Sequence, residues 1–315
     1  MPSPQPHRVD VHHHFCPPDY VTAVGKRAFI FPNLSAWTPA HSVEEMDRAG
    51  VATSILSMTT PGLWLSDVAE ARHLARLCND YAARLVADHP GRFGMFASLP
   101  LPDVDGSLRE IAYALDVLKA DGIGMYTSYA DRHLGDPRFA PLFEELNRRK
   151  AVVYTHPVRP DCCKNLLPGI PEVTIEWATD TTRAVASLIF SGAATRYRDI
   201  RFIFSHAGGT LPFLVERFVL LAGTPAYAAM LPHGVLHELQ KFHYDTAQAS
   251  NPGAMCSLTR LVAVSQILFG SDFPFRTCEE HVHGLGQCGF SDADRLAIER
   301  DNALALLPRL QSGGF

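Results

Sequence analysis

The stretch Arg8-Val-Asp-Val-His-His-His-Phe-Cys-Pro-Pro-Asp-Tyr20 places three consecutive histidines at the end of a short apolar run, directly before two prolines. Proline cannot donate a backbone hydrogen bond, so regular strand pairing must end there. The stretch therefore predicts a strand with histidines at its tip. Because alternate side chains of a strand share a face and rise about 3.3 Å per residue, His12 and His14 are expected roughly 6.6 Å apart on one side, with His13 on the other.

Two imidazoles placed in this way can converge on one cation. A fragment of a purification tag, or three solvated loop histidines, would also contain such a run, although the flanking Val-Asp-Val and Phe15 are not tag sequence. The stretch by itself leaves the metal site and these simpler interpretations open.

Length and composition set the first limits. A chain of 315 residues could form two average domains or one α/β barrel, because barrels often exceed 250 residues as a single unit. The apolar fraction of 47%, the charged fraction of 19% and the net charge of −5 are those of an ordinary globular protein. They give no electrostatic case for binding nucleic acid or an anionic membrane. Without an apolar signal core or a spanning segment, the chain is expected in the cytoplasm.

The seven cysteines indicate neither a disulfide framework nor a cysteine metal site. Their number is odd and none forms a CxxC pair, so reduced thiols are expected. The adjacent Cys162 and Cys163 are interpreted as incidental neighbours in a loop.

Apolar strand-like runs alternate with segments of helical period along the whole chain, which is typical of a parallel α/β sheet or barrel. Eight strand runs are predicted, at Val9–His12, Ala52–Met58, Phe93–Leu99, Gly122–Tyr126, Ala151–Thr155, Arg201–Ser205, Phe242–Asp245 and Gln266–Gly270. Helices are predicted over Ser66–Asp88, Asp105–Lys119, Pro137–Lys150, Asp180–Thr195, Gly209–Leu221 and Pro252–Val264. We therefore expect one (β/α)8 TIM-like barrel domain over residues 1–315, with irregular excursions after strands 1 and 5 at residues 17–40 and 159–177 that wall the substrate site.

Further candidate ligands also end strand runs. His156 directly follows the fifth run, His206 directly follows the sixth, and Asp272 lies two residues beyond the eighth. In a closed barrel these ends meet around one mouth, which is where barrel chemistry occurs. Neutral imidazoles with one carboxylate suit a catalytic divalent ion, zinc or alternatively manganese, with positions left for water or substrate. The His281-Val-His283 pair follows no clear strand and is interpreted as a surface feature.

The order and spacing of these motifs resemble the decarboxylase branch of the amidohydrolase superfamily, which includes aminocarboxymuconate semialdehyde decarboxylase and γ-resorcylate decarboxylase. The HxH after strand 1, Thr-His-Pro at 155–157, Ser-His-Ala-Gly-Gly at 205–209 and Gly-Ser-Asp-Phe-Pro at 270–274 carry the resemblance. Several stretches, including Tyr-Asp-Thr-Ala at 244–247, look like those of 6-methylsalicylate decarboxylases.

The resemblance implies that His12, His14, His156 and Asp272 bind the metal, and that His206 stands beside it as an acid, base or orienting group. It also implies that Arg217, in Leu-Pro-Phe-Leu-Val-Glu-Arg, pairs with the carboxylate of a small aromatic acid and serves a neighbouring subunit's site in some members, which suggests a homodimer or higher homo-oligomer. Some members carry a glutamate in the first motif, where this chain has His12.

The expected reaction is non-oxidative decarboxylation of a salicylate-type acid with release of CO₂, with Asp272 or His206 delivering a proton to the ring. Several aromatic side chains are candidates to stack on that ring, namely Phe15, Trp37, Trp64, Tyr126, Tyr154 and Trp177. Two alternatives stay open. The same ligands could activate water in a hydrolase of a lactone, ester or amide, or the barrel could be a catalytically silent binding protein.

Overall fold

Eight parallel strands form the centre of the fold in the computed structural model, which describes residues 7–130 and 132–313. The strands are β1 (Arg8–His14), β2 (Val51–Ser57), β3 (Phe93–Ser98), β4 (Gly122–Tyr126), β5 (Val152–His156), β6 (Arg201–Phe204), β7 (His243–Asp245) and β8 (Ile267–Leu268). They pair in chain order. Backbone hydrogen bonds from Val11 to Phe269 (3.0 Å) and from His14 to Phe273 (2.7 Å) join the two edges. The predicted (β/α)8 barrel is confirmed.

Helices connect the strands and cover the outside of the barrel. They are α1 (Pro18–Val24), α2 (Pro32–Ser35), α3 (Pro39–Ala49), α4 (Val68–Asp88), α5 (Val104–Ala112), α6 (Ala140–Arg148), α7 (Glu176–Phe190), α8 (Ala193–Arg196), α9 (Leu211–Ala222), α10 (Pro225–Ala228), α11 (Val235–Leu239), α12 (Pro252–Leu261), α13 (Cys278–Gly286), α14 (Asp292–Leu296) and α15 (Asn302–Leu306). None of the helices in the described ranges is long and apolar enough to cross a membrane.

Several predicted helix bounds differ from the structure. The first long helix, α4, is capped by Asp67, whose carboxylate accepts from the backbone N–H of Glu70, and not by Ser66. Ser66 lies outside the helix at a left-handed φ of 71°. The helix α7 begins at Glu176, four residues earlier than predicted, so its first two residues belong to the segment predicted as the second excursion. The reason is tertiary, because the first turn of α7 packs along the mouth of the barrel.

Alternate strand residues fill the barrel interior. Val9, Val11, Phe96, Tyr154 and Ile203 are buried there in one cluster. The same cluster includes residues of the C-terminal segment, Ala303, Leu306, Leu307 and Leu310. Burying these apolar side chains is the main stabilising term for the barrel, at about 25 cal/mol per Å² of apolar surface. These apolar side chains pack the lower end of the interior, and polar side chains occupy its upper end, where the C-terminal ends of the strands lie.

One expectation about the cysteines is wrong. The structure joins Cys162 and Cys163 in a disulfide between sequence neighbours, in the excursion after β5. The five other cysteines are free, as expected.

Candidate active site

The two histidines at the tip of β1 point into the barrel because the strand contains an irregularity. Asp10 pairs with Ser54 of β2 and His13 pairs with Leu56, so three steps along β1 match two along β2. This is the count of a β-bulge, which re-aims the side chains that follow it. His12 and His14 consequently share the interior with Val9 and Val11, and His13 faces outward.

Three acceptor-type atoms meet at the top of the barrel. The Nε2 atoms of His12 and His14 lie 3.1 Å apart, and Asp272 Oδ1 lies 3.1 Å from the first and 3.0 Å from the second. His156 Nε2 lies 4.0 Å from the same carboxylate oxygen. The structure thus brings together the four residues predicted as ligands. Their side chains are almost fully buried.

Neighbouring acceptors select which ring nitrogens carry protons. His12 Nδ1 donates to Asp245 Oδ2 over 2.9 Å, and His14 Nδ1 donates to the Ser57 carbonyl over 3.2 Å. When both rings are neutral, these hydrogen bonds leave both Nε2 atoms with lone pairs that face each other and Asp272. Such convergence is repulsive unless a proton or a metal ion lies between the atoms, and carboxylates that orient histidines in this way are typical of metal sites. Asp245 is a supporting residue that the sequence pattern did not single out.

His156 gives a direct test of whether these residues fit a metal. Its Nε2 is buried and has no hydrogen-bond partner in the described structure. Burial, and then the imidazoles of His14 and His12, hold the pKa of His156 well below its usual value, so the ring is neutral and its lone pair is free. Buried polar atoms without partners are rare in proteins. The residues therefore fit a divalent metal ion, which would satisfy this atom.

The charges of the site favour a cation. Burial opposes the charged form of His12, but Asp245 and Asp272 outweigh burial and raise the pKa of His12 to about 10. Burial would also raise the pKa of Asp272, yet the neighbouring imidazoles, His12 foremost, hold it well below its ordinary value. The two carboxylates that attract a proton to His12 would attract a metal ion in the same way.

The two carboxylate oxygens of Asp272 lie in different surroundings. Its Oδ1 faces the three imidazoles, whereas Oδ2 lies 3.4 Å from His206 Nε2 and accepts a hydrogen bond from the side-chain amide of Gln248. His206 and Gln248 both line a cavity of about 390 Å³. A group at this position can pass a proton between the inner cluster and a molecule in the cavity. His206 is thus near Asp272, as predicted.

Three of these residues have a strained backbone. His206, Gln248 and Asp272 have φ values of 55°, 53° and 64°, in the left-handed region. Each such non-glycine residue costs roughly 1–2 kcal/mol, and residues of this kind concentrate at functional sites. Close packing also requires Gly270, because a Cβ there would lie 2.9 Å from the Cβ of His12. The sequence signals for these features are the Ser-His-Ala-Gly-Gly and Gly-Ser-Asp-Phe-Pro motifs.

An aromatic wall borders the site. Trp177 lies 6.0 Å from His156 between ring centroids, and Phe275 lies 5.7 Å from His14. Phe31 contacts both aromatic rings, at 6.3 and 5.3 Å. Phe31 and Trp177 also line a second cavity of about 600 Å³, so both predicted excursions contribute to the wall.

Of the six predicted stacking residues, Trp177 lines a cavity, and Trp64 is half-buried. Phe15, Trp37, Tyr126 and Tyr154 are instead buried core residues. The roles of Phe31 and Phe275 could not be predicted, because nothing in the local sequence marks which aromatic side chains face a cavity.

The structure places Arg217 away from the ligand residues of its own chain, and it contradicts the surface position expected for His281. Arg217 is exposed on α9, and no described contact joins it to the ligand residues of its own chain. The predicted surface position of His281 is wrong, because its side chain is only 3% exposed. Its Nε2 accepts a hydrogen bond from the backbone N–H of Gln248 over 2.7 Å. Its neighbour in the motif, His283, is exposed.

The barrel and the converging donor atoms at its upper end define a metal-dependent barrel enzyme. The chain belongs to the amidohydrolase family, whose profile matches residues 9–309. It is 39% identical to the decarboxylase yanB of Aspergillus niger, with 96% of this chain and 88% of the relative covered. It is 34% identical to the 6-methylsalicylic acid decarboxylase of Penicillium expansum, over 96% and 97% of the two chains.

A solved structure shares the fold. The dihydroxybenzoic acid decarboxylase of Polaromonas sp. JS666, determined with bound manganese and the inhibitor 2-nitroresorcinol, superposes with a TM-score of 0.80. The two proteins are 22% identical over 96% of this chain and 97% of the other. The predicted membership of the decarboxylase branch is confirmed by these relatives.

Proposed function

We propose that this enzyme is a metal-dependent, non-oxidative decarboxylase of salicylate-type acids, with 6-methylsalicylate or a close analogue as substrate. The observation that carries the proposal is the divided environment of Asp272, with one oxygen toward three imidazoles and the other toward His206 and a cavity. The full-length relatives named as decarboxylases support the type of reaction. The aromatic wall suits a benzoate ring.

His12, His14, His156 and Asp272 would hold the metal ion through the atoms that converge at the top of the barrel. When bound, a divalent ion supplies Lewis-acid stabilisation of negative charge on the substrate and fixes its orientation. We propose zinc, since imidazoles and one carboxylate suit it, with manganese as the alternative that the Polaromonas structure supports.

The protein's own groups have to deliver one proton to the substrate. His206 or Asp272 gives the proton to the ring carbon that bears the carboxylate, which interrupts aromaticity at that carbon. The bond from this carbon to the carboxylate then breaks, its electron pair returns to the ring, and CO₂ leaves. Because the proton arrives before the bond breaks, no free aryl anion has to form.

Arg217 is proposed to act in a neighbouring subunit of a homodimer or higher homo-oligomer. Its side chain is exposed, and Phe213, one helical turn earlier on α9, lines the cavity beside His206. The helix also exposes apolar side chains, with Phe213 88% and Leu220 79% exposed. An interface on this face would cover them. There Arg217 could form a bidentate pair with the substrate carboxylate.

The rival activity is hydrolysis, because the same ligands can lower the pKa of a bound water. Enzyme supplied with zinc or manganese should be incubated with a panel of hydroxybenzoates and, separately, with aryl lactones and esters. We expect CO₂ and the corresponding phenol from 2-hydroxybenzoates, and no reaction from 4-hydroxybenzoate, which lacks the neighbouring oxygen. Lactone hydrolysis without any CO₂ release would reject the decarboxylase in favour of the hydrolase.

A further inference from the structure

His281 is a buried histidine to which the proposed reaction assigns no role. Its Nδ1 donates to the Thr277 carbonyl over 3.0 Å, and its Nε2 accepts from the backbone N–H of Gln248 over 2.7 Å. Burial lowers the pKa of His281, so the neutral ring required by this arrangement is favoured. With both nitrogens engaged, His281 acts as a fixed acceptor on α13 that holds one backbone position in the loop after β7.

The loop is held close to α13 at a second point. Gly284 lies one turn beyond His281, and a Cβ at this glycine would approach the Ser250 carbonyl to 2.1 Å. Only glycine permits such close packing. Two contacts, one to Gln248 and one to Ser250, therefore fix the loop against the helix.

The backbone of Gln248 is strained, because its φ of 53° lies in the left-handed region. An ordinary residue adopts this conformation only when its surroundings impose it. The conformation directs the side chain into the cavity, where its Nε2 donates to Asp272 Oδ2. The same oxygen is the one nearest to His206.

We propose that Gln248 is a positioning residue that fixes the outer oxygen of Asp272 toward the substrate cavity, and that His281 acts through Gln248 by holding its backbone. The proposal rests on the proposed function for the reaction that Asp272 serves. It explains why a strained glutamine and a buried histidine, neither of which is a predicted ligand, lie in one hydrogen-bonded chain ending at Asp272. Groups that orient a ligand or an acid typically contribute about 10–100-fold to activity or metal affinity.

The first test replaces Gln248 by glycine, which removes the amide and also relieves the left-handed strain, so folding is not endangered. We expect kcat to fall about 10–100-fold, with KM for the hydroxybenzoate within about twofold and metal content unchanged by elemental analysis. The matched control is Lys119→Gly, because Lys119 is an exposed residue with a similar φ of 58° far from the mouth. This control should keep the parent kcat.

The second test is a double-mutant cycle. His281→Ala should lower kcat by about tenfold by itself and should have no further effect on kcat in the Gln248→Gly background, because both changes break one chain. His283→Ala, on the exposed side of the same helix, is the control. Amide hydrogen exchange at Gln248 should be faster in His281→Ala, a readout that does not depend on activity.

Three results would overturn the proposal. They are a kcat of Gln248→Gly within about twofold of the parent, additive losses in the cycle, and a loss of metal that parallels the loss of kcat. Failure of the proposed function is distinguishable from these results. It would appear as absence of CO₂ release by the parent enzyme, and the same kcat ratios would then be measured on whichever lactone or ester the parent hydrolyses.

Discussion

The two faces of β1 carry two buried clusters that are similar in composition but differ in how completely their polar atoms are hydrogen-bonded. The inner cluster consists of His12, His14, His156 and Asp272. The outer cluster consists of Asp10, His13, Ser42, Ser271 and Cys278. Asp10, His13 and Cys278 also bring ligand-type atoms within 4.8 Å of one another, so composition and proximity alone do not separate the two clusters.

Hydrogen bonding does separate them. In the outer cluster, Asp10 Oδ1 accepts from the backbone N–H groups of His12 and Ser271, and Oδ2 accepts from His13 Nδ1 and the Ser271 hydroxyl. The other nitrogen of His13 is bonded to the Ser42 hydroxyl over 2.8 Å. The inner cluster instead has lone pairs facing each other and an unpaired His156 Nε2.

The comparison shows how a binding site differs from a structural network of the same residue types. A fully satisfied polar network stabilises and orders the chain, and here it ties the end of β1 to the segment that carries Asp272. A set of converging acceptors needs a ligand. The outer cluster therefore supports the position of the inner one, and five substitutions can test this division.

The largest effect is expected for Asp272→Ala. It removes a predicted metal ligand and a candidate proton donor together, so kcat should fall by about a thousandfold or more, and metal content should drop. Turnover of hydroxybenzoates and elemental analysis measure these effects. Asp292→Ala, which changes an exposed carboxylate on α14, is the control. An active, metal-loaded Asp272→Ala enzyme would remove Asp272 from the site.

A smaller loss is expected for Asp245→Ala. Asp245 holds His12 in one tautomer but lies outside the predicted ligand set. Metal affinity should weaken about 10–100-fold, measured by competition with a chromogenic chelator. The exposed Glu279→Ala serves as the control. Unchanged affinity would mean that His12 needs no orienting carboxylate.

Replacing His13 should lower the free energy of unfolding but not the metal content, whereas replacing His14 should lower the metal content. His13→Ala leaves Asp10 without one donor in a buried position, so the free energy of unfolding should fall by about 1–3 kcal/mol. Metal content and kcat should stay within about threefold of the parent. His14→Ala should lose metal. Denaturant unfolding and elemental analysis separate the two, and equal metal loss in both variants would show that the assigned faces of β1 are wrong.

The smallest effect is expected for Cys278→Ala. The thiol lies 3.8 Å from Asp10, and burial raises its pKa well above the usual value, so it is a neutral, weak donor. The free energy of unfolding should change by about 1 kcal/mol, with no change in metal stoichiometry. A drop from two bound metal ions to one would make the outer cluster a second metal site.

The sequence pattern was most informative where local periodicity and topology agree. Parallel strands bring their C-terminal ends to one side, so histidines and an aspartate that each end a strand run had to approach one another once the chain formed a barrel. The approach of His156, His206 and Asp272 to the tip of β1 could be predicted for this reason. The roles of Gln248 and His281 could not, because they depend on how a loop and a helix pack.

Local periodicity and motif order were enough to predict the alternation of strands and helices, the barrel and the set of residues at its mouth. They also separated His13 from His12 and His14, since alternation depends only on strand geometry. That His12 and His14 face the interior with Val9 and Val11 depends on the pairing with β2. Strict alternation would place the two histidines on the face opposite to Val9 and Val11, and the bulge turns them to the same face. The tertiary structure likewise decided which lone pairs remain unpaired, since hydrogen-bond partners come from strands that are distant in sequence.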